Sequence, residues 1–489
     1  MMAGLRFKFF RKVVWFKNTP LGKRLWAELT HSYTTFVENN SRIRNQLLRF
    51  IPFLAASAIS GLLAVLYYKL FGFSEKIFIR IFELEPLSIF LLTPLAFLFS
   101  WWLVDKFAPY AKGSGIPQVM AAIELSRSDT RPLIARLLSL KIILIKILSS
   151  MVKIMGGGIL GREGPTIQIA SSIFVSVYRI LPAWWIRISQ RDIMIAGAAS
   201  GLAAAFNTPL GGIIFAIEEL SKFQVKSYKP YLFVAVIIAG LTAQGLGGSY
   251  LYLGYPKLDA NGWKVLLGVM LAAFMAGYAA AKTGRLLLQV MGWIQQKRRL
   301  HKKMIIVGCA LLVAIPIYFV GIDVVGSGKE LMDRILFSSD KSLPWYVPIL
   351  RISGLVATFS FGGAGGIFAP SLSAGASIGA LISGLLDLGD GQANLIILIG
   401  MTAFLSGITR APFTSAIVVF EMTDRHSVIF YLMLGAVLAN SLARYIEPIS
   451  LYERLKETYL TEMDVQAPAK ASKKSGKLPK NDSSVLPES

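Results

Sequence analysis

Long apolar stretches separated by short polar connections run through most of the chain. A helix of about 20 residues crosses a bilayer core of about 30 Å, and eight stretches reach or approach that length. They cover residues 50–73, 88–104, 132–154, 230–246, 263–294, 304–320, 346–361 and 429–442. The pattern predicts an all-α, polytopic membrane protein.

A second set of apolar stretches is shorter and interrupted by glycine and proline. These segments cover residues 113–125, 163–177, 193–205, 209–220, 368–386, 395–405 and 412–422. Half-length helices at membrane depth are tolerated only where protein buries them or where they line an aqueous path. The broken helices are therefore expected to surround a transport path.

The chain contains an internal repeat. Glycine-rich stretches at 156–165 and 362–370 end on prolines 205 positions apart, and a second set of landmarks recurs at an offset of 203. That second set pairs Gly197, Pro209 and Glu218 with Gly400, Pro412 and Glu421. Gly/Pro-interrupted segments at corresponding positions of two halves are typical of a transport site near the bilayer midplane. We predict membrane repeats at 50–221 and 263–443, joined by a connection at 222–262.

Both ends of the chain are basic. Residues 1–49 lack the continuous apolar core of a signal peptide and are interpreted as an interfacial cytoplasmic segment. Residues 444–460 are expected to form a C-terminal helix, and 461–489 a disordered basic tail. Cytoplasmic basic ends require an even number of crossings. An odd number in each half gives that total and makes the repeats inverted, which is the topology we predict over the alternative of parallel repeats.

Composition narrows the class of protein. Of 489 residues, 54% are hydrophobic and 16% charged, against about 25% charged in soluble domains. The net charge of +23 lies mainly outside the apolar stretches, which indicates the positive-inside pattern rather than nucleic-acid binding. With one cysteine and three scattered histidines, no disulfide framework, metal site or cofactor is expected.

Two motifs predict helix starts that could bind an anion, because a helix N-terminus presents unpaired N–H groups and positive potential. In the first, Ser114 stands at an N-cap position and its hydroxyl could donate to an anion. The second leaves the N–H groups of Ile367 and Phe368 available. The motifs are Gly113-Ser114-Gly115-Ile116-Pro117 and Gly366-Ile367-Phe368-Ala369-Pro370.

Acidic and basic residues inside apolar stretches are functional candidates. Glu163 begins a helix after Gly161 and Arg162 and could occupy an anion site when ionised; the alternative is pairing with Arg162 or the helix dipole. Glu218 is matched by Glu421, which suggests a shared structural role such as pairing with an arginine. Glu219 is matched by Met422 and is the better proton carrier, unless it is a solvated helix end. Lys146 could add positive potential, whereas snorkelling could explain Lys141 and Lys153.

Two enzyme-like motifs fail. Gly375-Ala376-Ser377-Ile378-Gly379 fits a nucleophile-elbow pattern but lies within an apolar helix, with no suitably placed histidine. Residues 325–329 resemble a phosphate loop only superficially. An enzyme is therefore not expected.

Three pentapeptides together resemble the CLC family of chloride channels and chloride/proton antiporters, over about residues 50–452. They are the two anion motifs and Gly161-Arg162-Glu163-Gly164-Pro165. The resemblance implies a homodimer with one pore in each subunit, built from inverted repeats of tilted, broken helices. It also implies that Ser114, the N–H groups of Ile367 and Phe368, and the Tyr452 hydroxyl coordinate a central chloride. Glu163 would be the external gate, Glu219 the internal proton-transfer group and Lys146 the pore lysine.

The acid at Glu219 favours an antiporter, since channels of this family usually lack it. A passive voltage- or pH-gated chloride channel and a fluoride/proton antiporter stay open as alternatives, although Ser114 and Tyr452 favour chloride, with nitrate or bromide tolerated. About 37 residues follow Tyr452, which resembles the compact prokaryotic form without nucleotide-binding domains. The expected location is the cell inner membrane, with both termini cytoplasmic.

Overall fold

The computed structural model describes residues 20, 41–126, 131–182, 185–186, 188–222, 230–248, 251–423 and 428–463. The basic segment expected at 1–49 and the tail expected at 461–489 lie outside these residues, apart from their inner ends. The helices of the first half are α1 Ser41–Leu84, α2 Ile89–Phe107, α3 Ile116–Leu125, α4 Arg131–Leu137, α5 Leu140–Met155, α6 Glu163–Ile180, α7 Gln190–Phe206, α8 Pro209–Phe215 and α9 Pro230–Gly247. Those of the second half are α10 Trp263–Gln295, α11 Arg299–Val320, α12 Lys329–Phe337, α13 Val347–Ser360, α14 Phe368–Leu385, α15 Asp390–Thr409, α16 Pro412–Thr423, α17 Ile429–Ile446 and α18 Leu451–Glu462.

The all-α membrane architecture expected from the apolar pattern is confirmed. Within the described residues, eight helices are long and apolar enough to cross a membrane. The most apolar stretches of α14 and α15 are 83% and 89% buried, whereas those of α9, α11 and α17 are only 28% buried. A membrane solvates apolar side chains as well as the protein interior does. We therefore place α14 and α15 at the centre of the fold and the other three at its lipid-facing edge.

Four length predictions were wrong. The stretch 132–154 is not one span, because Ser139 ends the first helix and caps α5, its hydroxyl accepting from the Ile142 N–H at 3.5 Å. The stretches starting at Phe368 and near Leu395 form α14 and α15, of 18 and 20 residues, which is span length. Conversely, α13 has 14 residues. Gly375 in α14 and Gly400 in α15 lie at the contact between these two helices and do not interrupt them. A Cβ on Gly375 would come 2.2 Å from the Gly400 carbonyl oxygen, so only glycine lets α14 and α15 approach this closely.

The two halves cap each other's helices. The Glu218 carboxylate accepts from the N–H groups of Phe413 and Thr414, in the first turn of α16, at 3.2 and 2.7 Å. The Glu421 carboxylate accepts from the N–H groups of Leu210 and Gly211, in the first turn of α8, at 3.0 and 2.6 Å. This exchange is what a two-fold axis between inverted halves produces. The shared structural role expected for the two acids is confirmed, but the partner of Glu218 is a helix N-terminus and not an arginine.

We expect Glu421→Leu to destabilise the folded protein by about 1–3 kcal/mol, because it leaves two partly buried N–H groups without an acceptor. Thermal unfolding of the purified protein in detergent measures the change. The control is Glu83→Leu. Glu83 is exposed, and its ion pair with the similarly exposed Arg80 is long, at 4.0 Å, so it contributes little to stability. Equal melting temperatures for the two variants would contradict a stabilising role for the exchanged cap.

Candidate functional site

Three glycine-rich loops meet where broken helices begin. The N–H groups and carbonyls of Gly161 and Gly366 bond reciprocally, at 2.8 and 2.7 Å. The Gly113 N–H donates to the Gly363 carbonyl at 3.0 Å, and the Gly365 N–H donates to the Gly113 carbonyl at 3.1 Å. These short backbone pairings bring together the residues before α3, α6 and α14. The repeat motifs found in the sequence are thus one site.

Ser114 lies two residues before α3, and the N-cap residue is Gly115 instead, with φ +108°. The serine hydroxyl therefore does not cap its own helix. It is 2% exposed and makes no hydrogen bond within the described part of the chain. A Cβ on Gly164 would come 2.2 Å from this hydroxyl oxygen, so glycine is required there for α6 to start beside it. Ser114 is a buried donor that still needs an acceptor.

Tyr452 lies in the first turn of α18. The Ser450 hydroxyl caps this helix by accepting from the Glu453 N–H at 3.1 Å, and the Gln118 side chain on α3 donates to the Tyr459 hydroxyl at 3.0 Å. This docking brings the Tyr452 hydroxyl close to Ser114. The Tyr452 hydroxyl oxygen is buried and makes no hydrogen bond among the described residues. Two buried hydroxyls therefore converge without a protein acceptor.

Glu163 is the first residue of α6, as the sequence predicted, and is 1% exposed. Its carboxylate lies within reach of the N–H groups of Arg162 and Glu163, at the N-terminal end of α6, and of Ala369 on α14. Its Oε2 atom makes no hydrogen bond within the described residues. A carboxyl group thus occupies the meeting point of two helix N-termini, where positive potential is greatest.

Arg162 does not pair with Glu163 at ion-pair distance. Its guanidinium carbon lies 3.8 Å from the centre of the Tyr68 ring instead. At the start of α14, Ile367 and Phe368 are 1% and 2% exposed. Their N–H groups belong to the helix end, which has no carbonyl one turn earlier to accept from them. Both remain candidate anion donors.

Two buried lysines hold the loops. The Lys146 ammonium donates to the Gly113 carbonyl at 3.0 Å, so its charge lies directly behind the Ser114 loop. The Lys153 ammonium donates to the Thr358 carbonyl at 3.3 Å and lies 5.0 Å from the Phe361 ring centre. Both lysines are 0% exposed. The idea that Lys153 snorkels to the interface was therefore wrong, because packing across the two halves buries it.

Glu219 lies in a widened, π-helical turn, Ala216–Leu220, that follows α8. Such turns are frequent at functional sites, and here Glu218 reaches α16 while Glu219 lines a different surface. That surface is a cavity of about 270 Å³, which Glu124, Lys222 and Lys456 also line. Glu219 is 9% exposed. It is therefore a largely buried acid at the edge of a charged vestibule, and not a solvated helix end.

The neighbouring acid Glu453 is engaged in ion pairs. The ammonium groups of Lys456 and Lys222 lie close to its carboxylate, at 2.5 and 3.0 Å. Although burial raises the pKa of Glu453, the hydrogen bonds from both lysines outweigh burial and hold that pKa below its usual value. Glu453 therefore stays ionised beside the vestibule, and Glu124 lies 3.8 Å from the Lys456 ammonium. Glu219, by contrast, makes no ion pair within 4.0 Å among the described residues.

Sequence reasoning missed two charged residues, the partly buried Glu75 and the fully buried Arg351. Arg351 is 0% exposed and donates to the Val325 carbonyl at 2.7 Å. It lies 205 positions after Lys146, the same offset as the repeated prolines, and that offset could have revealed it. Glu75 has no acidic repeat counterpart to mark it, and only the folded structure brings it to the Ser327 N–H, which donates to its carboxylate at 3.2 Å.

Comparisons with known proteins identify the family. The family model described as voltage gated chloride channel matches residues 95–444. The "H(+)/Cl(-) exchange transporter ClcA" of Salmonella paratyphi A is 28% identical over 454 residues, covering 86% of this chain and 91% of its own. That of Salmonella gallinarum is 29% identical over 447 residues, with the same coverage.

Solved structures show the same fold. A slow cyanobacterial Cl⁻/H⁺ antiporter matches with a TM-score of 0.73 and 21% identity, covering 85% of this chain and 99% of its own. A CLC-type fluoride/proton antiporter matches with a TM-score of 0.69, 19% identity and the same coverage. Because the family model covers most of the described membrane helices, the chain belongs to the voltage-gated chloride channel family, the CLC family that its motifs resemble.

Proposed function

We propose that this protein is a secondary active antiporter that exchanges chloride for protons across the cell inner membrane. One observation carries the proposal: the Glu163 carboxylate lies among the N-terminal N–H groups of α6 and α14, where a transported anion would bind. Transport, rather than catalysis, is the activity that such a site supports. Curated relatives named as H⁺/Cl⁻ exchange transporters add support for the same function.

The central chloride would lie between the Ser114 and Tyr452 hydroxyls and the N–H groups of Ile367 and Phe368. All of these donors are neutral, so they can stabilise an anion without holding it by a full opposite charge. Lys146 is fixed on the Gly113 carbonyl behind the loop and adds positive potential. Bromide and nitrate carry the same charge and are expected to be accepted; fluoride is more strongly hydrated and would lose more on entering this dry site.

Proton coupling would follow from the competition between carboxylate and chloride. An ionised Glu163 holds the outer end of the path; once protonated, it loses most of its attraction to the helix N-termini. It then leaves, chloride takes its place, and the proton moves with the side chain. Glu219 would exchange protons with the vestibule shared with Lys222 and Lys456.

The assembly and orientation belong to the same proposal. We expect a homodimer with one path in each subunit, with both termini in the cytoplasm, no cofactor, and repeats at 50–221 and 263–443. The homodimer is supported by large apolar side chains exposed on short helices, including Leu210 at 52% on α8 and Phe413 at 42% on α16.

A gradient experiment tests the function. In liposomes with the membrane voltage clamped at zero, a tenfold chloride gradient supplies about 1.4 kcal/mol per chloride. For one-to-one exchange, that gradient is expected to drive protons until the pH differs by about one unit. External pH and chloride are recorded together, starting without a pH difference. Chloride flux without proton movement would identify a passive channel, and absence of chloride flux would redirect the test to fluoride and nitrate.

A further inference from the structure

The second half contains another Gly-Ser-Gly loop, Gly326-Ser327-Gly328, which precedes the nine-residue helix α12. Its glycines have φ +60° and +82°, in the left-handed region like those of the Ser114 loop, although here the serine hydroxyl accepts from the Lys329 N–H at 3.4 Å. The Arg351 guanidinium donates to the Gly326 carbonyl at 3.4 Å, just as the Lys146 ammonium donates to the Gly113 carbonyl. The repeat has therefore produced two glycine loops, each with a buried cation behind it.

The second loop lies beside Glu163, the group proposed above to close the outer end of the path. Ser327 lines a cavity of about 310 Å³ whose wall also includes Glu163 and Arg162. An anion that approaches Glu163 through this cavity must pass the start of α12. The N–H groups there carry the same positive potential as those of the Ser114 loop.

A carboxylate already occupies this second loop. The Ser327 N–H donates to the Glu75 Oε1 atom at 3.2 Å. A Cβ on Gly326 would come 1.9 Å from the same oxygen, so the loop is shaped around the acid. At the first loop the corresponding space is lined by hydroxyls that have no protein acceptor. Glu75 thus stands where the repeat predicts an anion.

Arg162 is a second, independent sign of an anion site. It lines the same cavity and is only 9% exposed, and its Nε atom makes no hydrogen bond within the described residues. Its interaction with the Tyr68 ring fixes the guanidinium in place without satisfying this donor. A buried arginine with an unpaired N–H beside a helix N-terminus would bind an incoming anion by charge and by hydrogen bonding.

We propose that the Gly326-Ser327-Gly328 loop and Arg162 form an outer binding site for small monovalent anions, at which the Glu75 carboxylate competes with chloride. The proposal rests on the transport function proposed above. Glu75 would lower the occupancy of this site by chloride arriving from outside, and so would set the apparent affinity for external chloride. The other charged groups that face the cavity or its loop are Lys76, Glu163, Lys329, Glu330 and Arg351.

The test varies Glu75 in the full-length protein reconstituted in liposomes. Glu75→Gln is expected to lower the external chloride concentration for half-maximal exchange by about tenfold, because it removes a charge-assisted competitor. Glu75→Asp keeps the charge but withdraws the carboxylate from Ser327. It is expected to lower the half-maximal chloride concentration too, but by a smaller factor. The matched control is Glu330→Gln, which removes one negative charge from the same cavity and is expected to leave the value unchanged.

Bromide supplies a readout that does not depend on transport. In crystals of Glu75→Gln soaked in bromide, an anomalous peak is expected beside the Ser327 N–H and Arg162. No peak there, or equal shifts for Glu75→Gln and Glu330→Gln, would overturn the outer site and leave general electrostatics as the explanation. Failure of the parent protein to exchange chloride for protons would instead refute the proposed function, while the bromide result would still decide whether the site exists.

Discussion

Glu163→Gln is expected to stop proton transport while chloride continues to move. Glutamine has nearly the shape of glutamate but neither ionises nor carries a proton at physiological pH. It therefore lacks the charge with which the carboxylate competes with chloride for the N–H groups of Arg162, residue 163 and Ala369 that lie within its reach. With zero voltage and a tenfold chloride gradient, we expect proton flux to fall to the leak of protein-free liposomes. Chloride flux should persist and lose its dependence on pH.

A second substitution at Glu163 and a control variant test this prediction further. Glu163→Ala is expected to uncouple transport in the same way, because it also removes the carboxylate. Glu330→Gln changes the charge of the same outer cavity but leaves the Glu163 carboxylate in place, and is expected to keep the parent exchange ratio. If Glu163→Ala still drives protons uphill, the carboxylate is not the proton carrier and the proposed mechanism is wrong.

Glu219→Gln is expected to abolish proton coupling from the opposite side of the protein, again with chloride flux retained. Glu219 lies at the edge of the vestibule and is almost fully buried, so it can pass protons between water and the interior. Chloride transport does not need it, because the anion donors belong to α3, α14 and α18. The same liposome assay measures both fluxes.

Glu124→Gln is the matched control for Glu219. Glu124 lines the same cavity, but its side chain is 43% exposed and lies 3.8 Å from the Lys456 ammonium. We expect it to keep the parent exchange ratio. If Glu219→Gln also keeps the parent exchange ratio, protons enter elsewhere, and Glu219 is a structural acid beside the capping residue Glu218.

Much of the site follows from local sequence. Glu163 begins α6 as predicted, and α14 begins at Phe368, because glycine and proline specify helix ends through backbone geometry that needs no distant partner. The Ser114 motif predicted a helix start correctly, but the N-cap is Gly115, whose positive φ frees the serine hydroxyl. The repeat also identified Glu218 and Glu421 as an equivalent pair, since sequence symmetry persists whatever the partners are.

The sequence by itself determined the class of protein, the two repeats and the short motifs that end helices near an anion. Only the tertiary structure decided which distant residues meet. It placed Tyr452 beside Ser114 through a hydrogen bond between residues 341 positions apart, exchanged the Glu218 and Glu421 caps between halves, buried Lys153, and brought Glu75 to the second glycine loop. The physical reason is that helix ends depend on a few neighbouring residues, whereas these contacts depend on how whole helices pack. From sequence alone, each of these residues could have several buried partners, and only the packing selects one.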